Sequence, residues 1–198
     1  MAYGPGVRAL FMTFGSRGHY APMEALVRAT LAAGHQVAVA SSPGFQASVA
    51  TLGVEYLPVG MNAADALAAF NQRQRRDVPT SADAIVAGMF VDICVPAVLV
   101  DVHRLLDWKP DLIIREEGEF SAPVVAELVG VPCAEHSWGP VRPRRQRESA
   151  VAALTPIWLA HGLEPDPMCG IHRSLYFDIC APSLQFDEVA DIRVARLL

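Results

Sequence analysis

Within the first 58 residues, short apolar runs alternate with helical patterns, and glycines stand at the joints. Val7 to Phe14 (VRALFMTF) reads as a buried strand ended by Gly15. Pro22 opens a helical pattern in which Met23, Leu26, Val27, Thr30 and Leu31 recur at three-and-four spacing, and Gly34 stands where a C-cap belongs. Gln36 to Ser41 returns to strand character, Pro43 to Leu52 is a short helix closed by Gly53, and Val54 to Pro58 is a third strand. A strand–helix–strand–helix–strand order with such short connections calls for a parallel sheet covered by helices on both faces, joined by right-handed crossovers.

The remainder extends that pattern. A short alanine-rich helix is expected around Ala63–Asn71, followed by the polar string Gln72-Arg73-Gln74-Arg75-Arg76-Asp77 as a surface loop. Thr80 or Ser81 can cap a long apolar helix running to about Leu106 and bent at Pro96. Asp111–Arg115 is the next strand, Ala122–Val129 a helix ended by Gly130, and Pro132–Ser137 a further strand. The run Arg142, Arg144, Arg145, Arg147 reads as a solvated loop, with a lid or a contact to a partner domain as the functional alternative. Glu148–His161 is a helix and Leu175–Ile179 a late strand. No repeat or composition shift marks a second domain, so residues 1–198 are expected to form one Rossmann-like α/β domain.

Composition excludes several classes of partner. The chain is 52% hydrophobic and 19% charged, which suits a compact core, and a net charge of −5 gives no sign of a nucleic-acid or acidic-membrane partner. The N-terminus lacks the charged stretch and apolar block of a secretory signal, and no apolar run is expected to reach the ~18 residues of a membrane span. Cys94, Cys133, Cys169 and Cys180 lie far apart and read as reduced core residues. The expected address is the cytoplasm.

The loop after the first strand, Gly15-Ser16-Arg17-Gly18-His19-Tyr20, carries the chemistry. In open parallel sheets, ligands bind outside the carboxyl ends of the strands. Gly15 and Gly18 let the backbone turn tightly and approach a ligand. Pro22 suits a first helical turn, which places His19 before a helix N-terminus as a group able to move a proton near neutral pH. The alternative is a turn histidine that merely caps the helix. A third glycine is lacking, so the loop is not the dinucleotide fingerprint.

The stretch FGSRGHYAPMEALVRATLAAGHQVAVASSPGF resembles the opening of GT-B natural-product glycosyltransferases, whose N-terminal half begins with a strand, a G-x-R-G-[HD]-x-x-P loop, a helix and A-x-G-H-x-V. Gly15, Arg17, Gly18, His19, Pro22, Gly34, His35 and Val37 match. Pro110–Glu116, Ala126-Glu127 and Gly130-Val131-Pro132 resemble the family's P-D-L-V-V-x-[DE]…A-E-x-x-G-V-P block, and Tyr176–Gln185 is similar to the segment that closes the N-terminal domain. The resemblance covers nearly the whole chain, except roughly Gly60 to Trp108.

The resemblance implies an acceptor-binding domain of an inverting glycosyltransferase. His19 would be the general base and Glu116 the carboxylate that holds it, with Glu117 and Glu119 as competitors. Many relatives have aspartate where Glu116 stands, and three adjacent acids also look like an exposed loop. Tyr20, Met89, Phe90, His136 and Trp138 are expected to bind a flat, largely apolar aglycone. Gly15, Ser16, Arg17 and Gly18 would face the donor phosphates. A nucleotide-diphosphate sugar would be the co-substrate, held mainly by a C-terminal domain that these 198 residues do not supply. No cofactor and no metal are expected. The chain alone is expected to be inactive, and the face that such a domain covers could drive self-association.

Two weaker signals are set aside. Cys133-x-x-His136 and Cys169-x-x-His172 have the look of a split zinc site, but an offset of three on a strand sends side chains to opposite faces. Ser137 lies near a histidine without a G-x-S-x-G elbow. Two competing readings stay open: a stand-alone small-molecule binding module, and an unrelated Rossmann-like nucleotide-binding domain.

Overall fold

The computed structural model describes residues 6–74 and 80–196. Among the described residues, seven strands form one sheet: β1 Arg8–Met12, β2 Gln36–Ser41, β3 Glu55–Pro58, β4 Leu112–Glu116, β5 Cys133–His136, β6 Tyr176–Asp178 and β7 Val194–Arg196. Every pairing is parallel, in the order β3-β2-β1-β4-β5-β6-β7. The chain winds one way from β1 to β3 and the other way from β4 to β7. The crevice between the ends of β1 and β4 is therefore the topological switch point.

The central strands are apolar because both faces are covered. Alternation along β1 sends Leu10 and Met12 into one core, where they meet Val86, Phe90, Val91, Leu105 and Trp158. Ala9 and Phe11 enter the other, against Tyr20, Met23, Val27, Phe45 and Val49.

The helices follow the expected order with local differences. The first starts earlier than Pro22: α1 Arg17–Tyr20 runs through a 3₁₀ turn at Ala21–Met23 into α2 Glu24–Ala32, and Gly34 closes it at φ 84°. Proline has no N–H to continue the α pattern, so it falls in the 3₁₀ turn inside a longer helical run. Next come α3 Gln46–Val49 and α4 Ala63–Arg73. Of the expected surface loop, Gln72 and Arg73 belong to α4, while Arg75, Arg76 and Asp77 lie outside the described residues.

The expected long helix is divided. Ser81 caps α5 Ala82–Ala84 by accepting the Ala84 N–H at 3.1 Å. A ten-residue π-helical stretch, Ile85–Cys94, follows, then α6 Val95–Val100 and α7 Val102–Asp107. The helical run breaks at Asp101 (φ −98°, ψ 12°), whereas Pro96 sits in the first turn of α6. Contrary to the expectation about apolar runs, Ala82–Val100 has both the length (19 residues) and the mean hydropathy (2.1) of a membrane span. Half of that window is buried within the protein, and it supplies Val86, Met89, Phe90, Val91, Ile93 and Val98 to the core.

Beyond β4, α8 Ala122–Val129 ends at Gly130 in the left-handed conformation. The arginine run is not a loop throughout. Helix α9 spans Arg144–Ala160 and begins four residues before Glu148, because the Arg144–Glu148 pair (2.8 Å, i,i+4) supports its first turn. Arg145 reaches Asp83 at 2.6 Å and joins α9 to α5. Strand β7 has only three residues, too short to show a period in sequence.

Candidate active site

His19 is the third residue of α1 rather than a residue ahead of the helix. Its ring stands at the end of β1, within a ring of aromatic groups. Trp138 meets it edge-on at 4.1 Å between centroids, Phe14 at 5.0 Å and Phe90 at 5.5 Å. His19 Nδ1 lies 3.1 Å from Glu116 Oε1 at the end of β4. This is a close approach in which the ring nitrogen is not aligned for a straight hydrogen bond. Nε2 has no partner among the described residues.

Glu116 is buried and fully engaged. Oε1 accepts the Phe14 N–H at 3.0 Å, and Oε2 accepts the Gly118 N–H at 2.5 Å. Burial pushes its carboxyl up, but the His19 imidazole and these two N–H groups outweigh that and hold it below the usual carboxylate range. It is thus kept as an anion beside the histidine.

The two competing acids are buried as well, which overturns the reading of three exposed loop acids. Glu117 accepts from the Tyr176 hydroxyl at 2.6 Å, and burial together with Glu135 pushes it up to about 8. Glu119 Oε1 accepts the N–H and the hydroxyl of Ser121, and burial raises its carboxyl. Neither is in contact with His19 in the way Glu116 is. Gly118, between them, fits against the ring: a Cβ there would lie 2.8 Å from His19 Cε1 and 3.1 Å from Glu116 Oε2. Nothing in the sequence marked Gly118 or Phe14 as part of the site.

The remaining expected residues divide. Trp138 is half-buried beside His19 and lies under the Arg142 guanidinium at 5.5 Å. Phe90 is 8% exposed and reaches both His19 and Phe14, while Met89 is buried in the core. Tyr20 is corrected: it is 0% exposed and packs edge-on to Phe45 in the opposite core, because adjacent helix residues diverge by about 100°. His136 is corrected too. It is buried, its Nδ1 lies 2.6 Å from the Ser137 carbonyl, and burial lowers its pKa.

In the loop, Gly15 backs onto Ser42, whose Oγ would lie 2.0 Å from a Cβ at that position. Gly18 and Arg17 are exposed, and Arg17 makes a 3.6 Å ion pair with Glu24. A narrow crevice lined by Phe14, Gly15, Ser42, Met61, Cys94 and Glu119 opens beside this loop. It does not include His19.

Residues 28–198 match the family described as "Erythromycin biosynthesis protein CIII-like, N-terminal domain". The chain is 28% identical over 170 residues to 3-alpha-mycarosylerythronolide B desosaminyl transferase of Saccharopolyspora erythraea, covering 75% of this chain and 40% of that protein. It is 32% identical over 138 residues to L-demethylnoviosyl transferase of Streptomyces niveus, covering 69% and 36%. The crystal structure of SsfS6, a glycosyltransferase of Streptomyces sp. SF2575, superposes with a TM-score of 0.74 at 27% identity, covering 89% of this chain and 51% of that one. This chain therefore spans about half or less of the length of these relatives. The matches remove the reading as an unrelated nucleotide-binding domain. With its parallel sheet and its matched span, the chain belongs to the erythromycin biosynthesis protein CIII-like N-terminal family, the N-terminal domain of GT-B antibiotic glycosyltransferases.

Proposed function

We propose that this chain is the acceptor-binding half of an inverting glycosyltransferase, one that moves a sugar from a nucleotide-diphosphate sugar to a hydroxyl of a small, largely apolar natural product. The observation that carries the reading is the contact of His19 Nδ1 with the ionised Glu116 at the sheet's switch point, with Nε2 unpartnered among the described residues. Nε2 accepts the proton of the acceptor hydroxyl as its oxygen bonds to the anomeric carbon. The bond from that carbon to the diphosphate breaks on the opposite side, and its electron pair leaves with the diphosphate. Glu116 remains an anion and stabilises the imidazolium that forms.

Phe14, Phe90 and Trp138 give the acceptor an apolar wall. The loop Gly15–Gly18, with its exposed Arg17 at a helix N-terminus, faces the donor diphosphate. The donor is bound chiefly by a second, nucleotide-sugar-binding half. The relatives' names support sugar transfer as the reaction, and SsfS6 has been solved with thymidine diphosphate. The 198-residue chain assayed alone is expected to transfer no sugar; transfer by it would overturn the division of labour.

In an enzyme carrying this domain with its donor half, His19→Ala is expected to lower turnover by ~10²–10⁴-fold, the loss typical of a removed general base. Turnover near the parent rate would remove His19 from that role.

A further inference from the structure

The chemistry above makes no use of Arg115, yet this arginine is only 1% exposed. Alternation along β4 sends its side chain to the opposite side from Glu116, where it packs beside Phe120. It does not touch His19. Instead, Nη1 donates to three carbonyls of the following loop: Glu116 at 3.2 Å, Glu117 at 3.2 Å and Glu119 at 3.3 Å. Nη2 donates to Glu135 Oε2 at 2.5 Å. Arg115 and Glu135 are direct cross-strand partners of β4 and β5, so the sheet itself sets the brace.

The loop gathered in this way has one consequence for the site. It turns back sharply, with the Glu119 N–H on the Glu116 carbonyl at 3.0 Å. That turn delivers the Gly118 N–H to Glu116 Oε2 and sets Gly118 against the His19 ring. Arg142 adds a second tie, donating to the Glu117 carbonyl at 3.3 Å while lying over Trp138. A buried ion pair is a weak source of stability, because desolvation offsets most of the attraction. A guanidinium whose planar fork meets three carbonyls and a carboxylate does something a point charge cannot: it fixes a backbone shape.

We propose that Arg115, braced by Glu135, is a positioning residue that holds the Glu116–Glu119 loop in the one curvature that seats the His19 ring against the Glu116 carboxylate. Its catalytic meaning rests on His19 being the base. Its geometric content does not, and can be tested without turnover.

The test uses the ¹⁵N-labelled 198-residue chain at neutral pH. Arg115→Lys keeps the charge but replaces the fork with a single ammonium. The Phe14 and Gly118 amide protons, which bond the Glu116 carboxylate, should move upfield and exchange at least ~10-fold faster, while core amides such as those of Leu10 and Val39 keep their parent rates. Glu135→Gln, nearly isosteric, is the second variant and has a useful sign. By charge alone, losing a nearby carboxylate favours the Glu116 anion and tightens those two hydrogen bonds, whereas a lost brace loosens them. Selective loosening in the folded variants supports the proposal. Parent-like shifts and rates, or one common factor at every amide, overturn it, as does failure of both variants to fold, which assigns Arg115 to the scaffold alone. Full turnover with His19→Ala would sink the functional reading and leave this result standing.

Discussion

The environment of His19 decides what it can do. Three aromatic rings shield it, one carboxylate faces Nδ1, and Nε2 has no partner among the described residues. The fit is tight at Gly118, where a Cβ would collide with the His19 ring at 2.8 Å and press on Glu116 Oε2 at 3.1 Å. Gly118→Ala is therefore expected to displace the ring by a few tenths of an ångström or more. Such misplacement can cost up to ~10²-fold in turnover. The change in KM for the acceptor should be small beside the loss in kcat, because the acceptor wall is untouched. Parent-like kcat in Gly118→Ala, measured in the enzyme with its donor half, would show that the ring has slack. Among the three neighbouring acids, environment separates the roles. Glu116 is held as an anion by two N–H groups and the histidine, while burial pushes Glu117 and Glu119 toward the neutral form.

At the level of elements, Gly15 marks where β1 hands over to the helix that carries His19. A Cβ at that position would lie 2.0 Å from Ser42 Oγ and 2.9 Å from Ser42 Cβ. Gly15→Ala should destabilise the chain by ~1–3 kcal/mol through overpacking, read as a lower midpoint in urea at unchanged slope. An unchanged midpoint would mean that the β1–β2 contact yields easily. The order of elements was legible because apolar period, glycine stops and caps agreed: β2 and α8 fall on their expected residues, and Gly34 and Gly130 close their helices. What escaped was set by side-chain pairing or by elements too short to show a pattern. Ion pairs Arg144–Glu148 and Arg145–Asp83 turn an apparent loop into the start of α9. The π-helical stretch is only ten residues long, too short for its wider period to stand out from an α-helix, and β7 is too short to carry a period at all. In the site, the motifs pointed to His19 and Glu116, whereas nothing in them told that the Tyr20 and His136 side chains are buried, because loop proximity does not tell which face a side chain takes. Gly118, Phe14 and Arg115 act through backbone approach and buried geometry, which a single sequence does not display.

Across the whole molecule, a buried charged network joins β4, β5 and β6 through Arg115, Glu135, Glu117 and Tyr176. It makes stability depend on pH in two opposite ways. Glu117 ionises near 4.5 in its ordinary state but only at about 8 in the fold, so between those values the folded chain holds a proton that the unfolded chain has lost. Stability then falls as pH rises through that window. For Glu135, burial opposes ionisation, but Arg115 and His172 outweigh it and hold the carboxyl at about 2. Its contribution is present above 4.5 and is lost as pH falls from 4.5 toward 2. Glu117→Gln keeps an oxygen for the Tyr176 hydroxyl and removes only the first effect. It should raise the melting temperature by roughly a few degrees at pH 8 and little at pH 5. Equal shifts at both pH values would show that the carboxyl titrates normally.

The pairing of His19 with Glu116 is the centre of this account, and a double-mutant cycle on turnover addresses it most directly. His19→Ala, Glu116→Gln and the double variant are compared in the enzyme with its donor half, at saturating donor. If the carboxylate acts only through the histidine, both single losses are large and the double variant is about as slow as His19→Ala alone. Losses that multiply, or a His19→Ala enzyme turning over at the parent rate, would contradict the account.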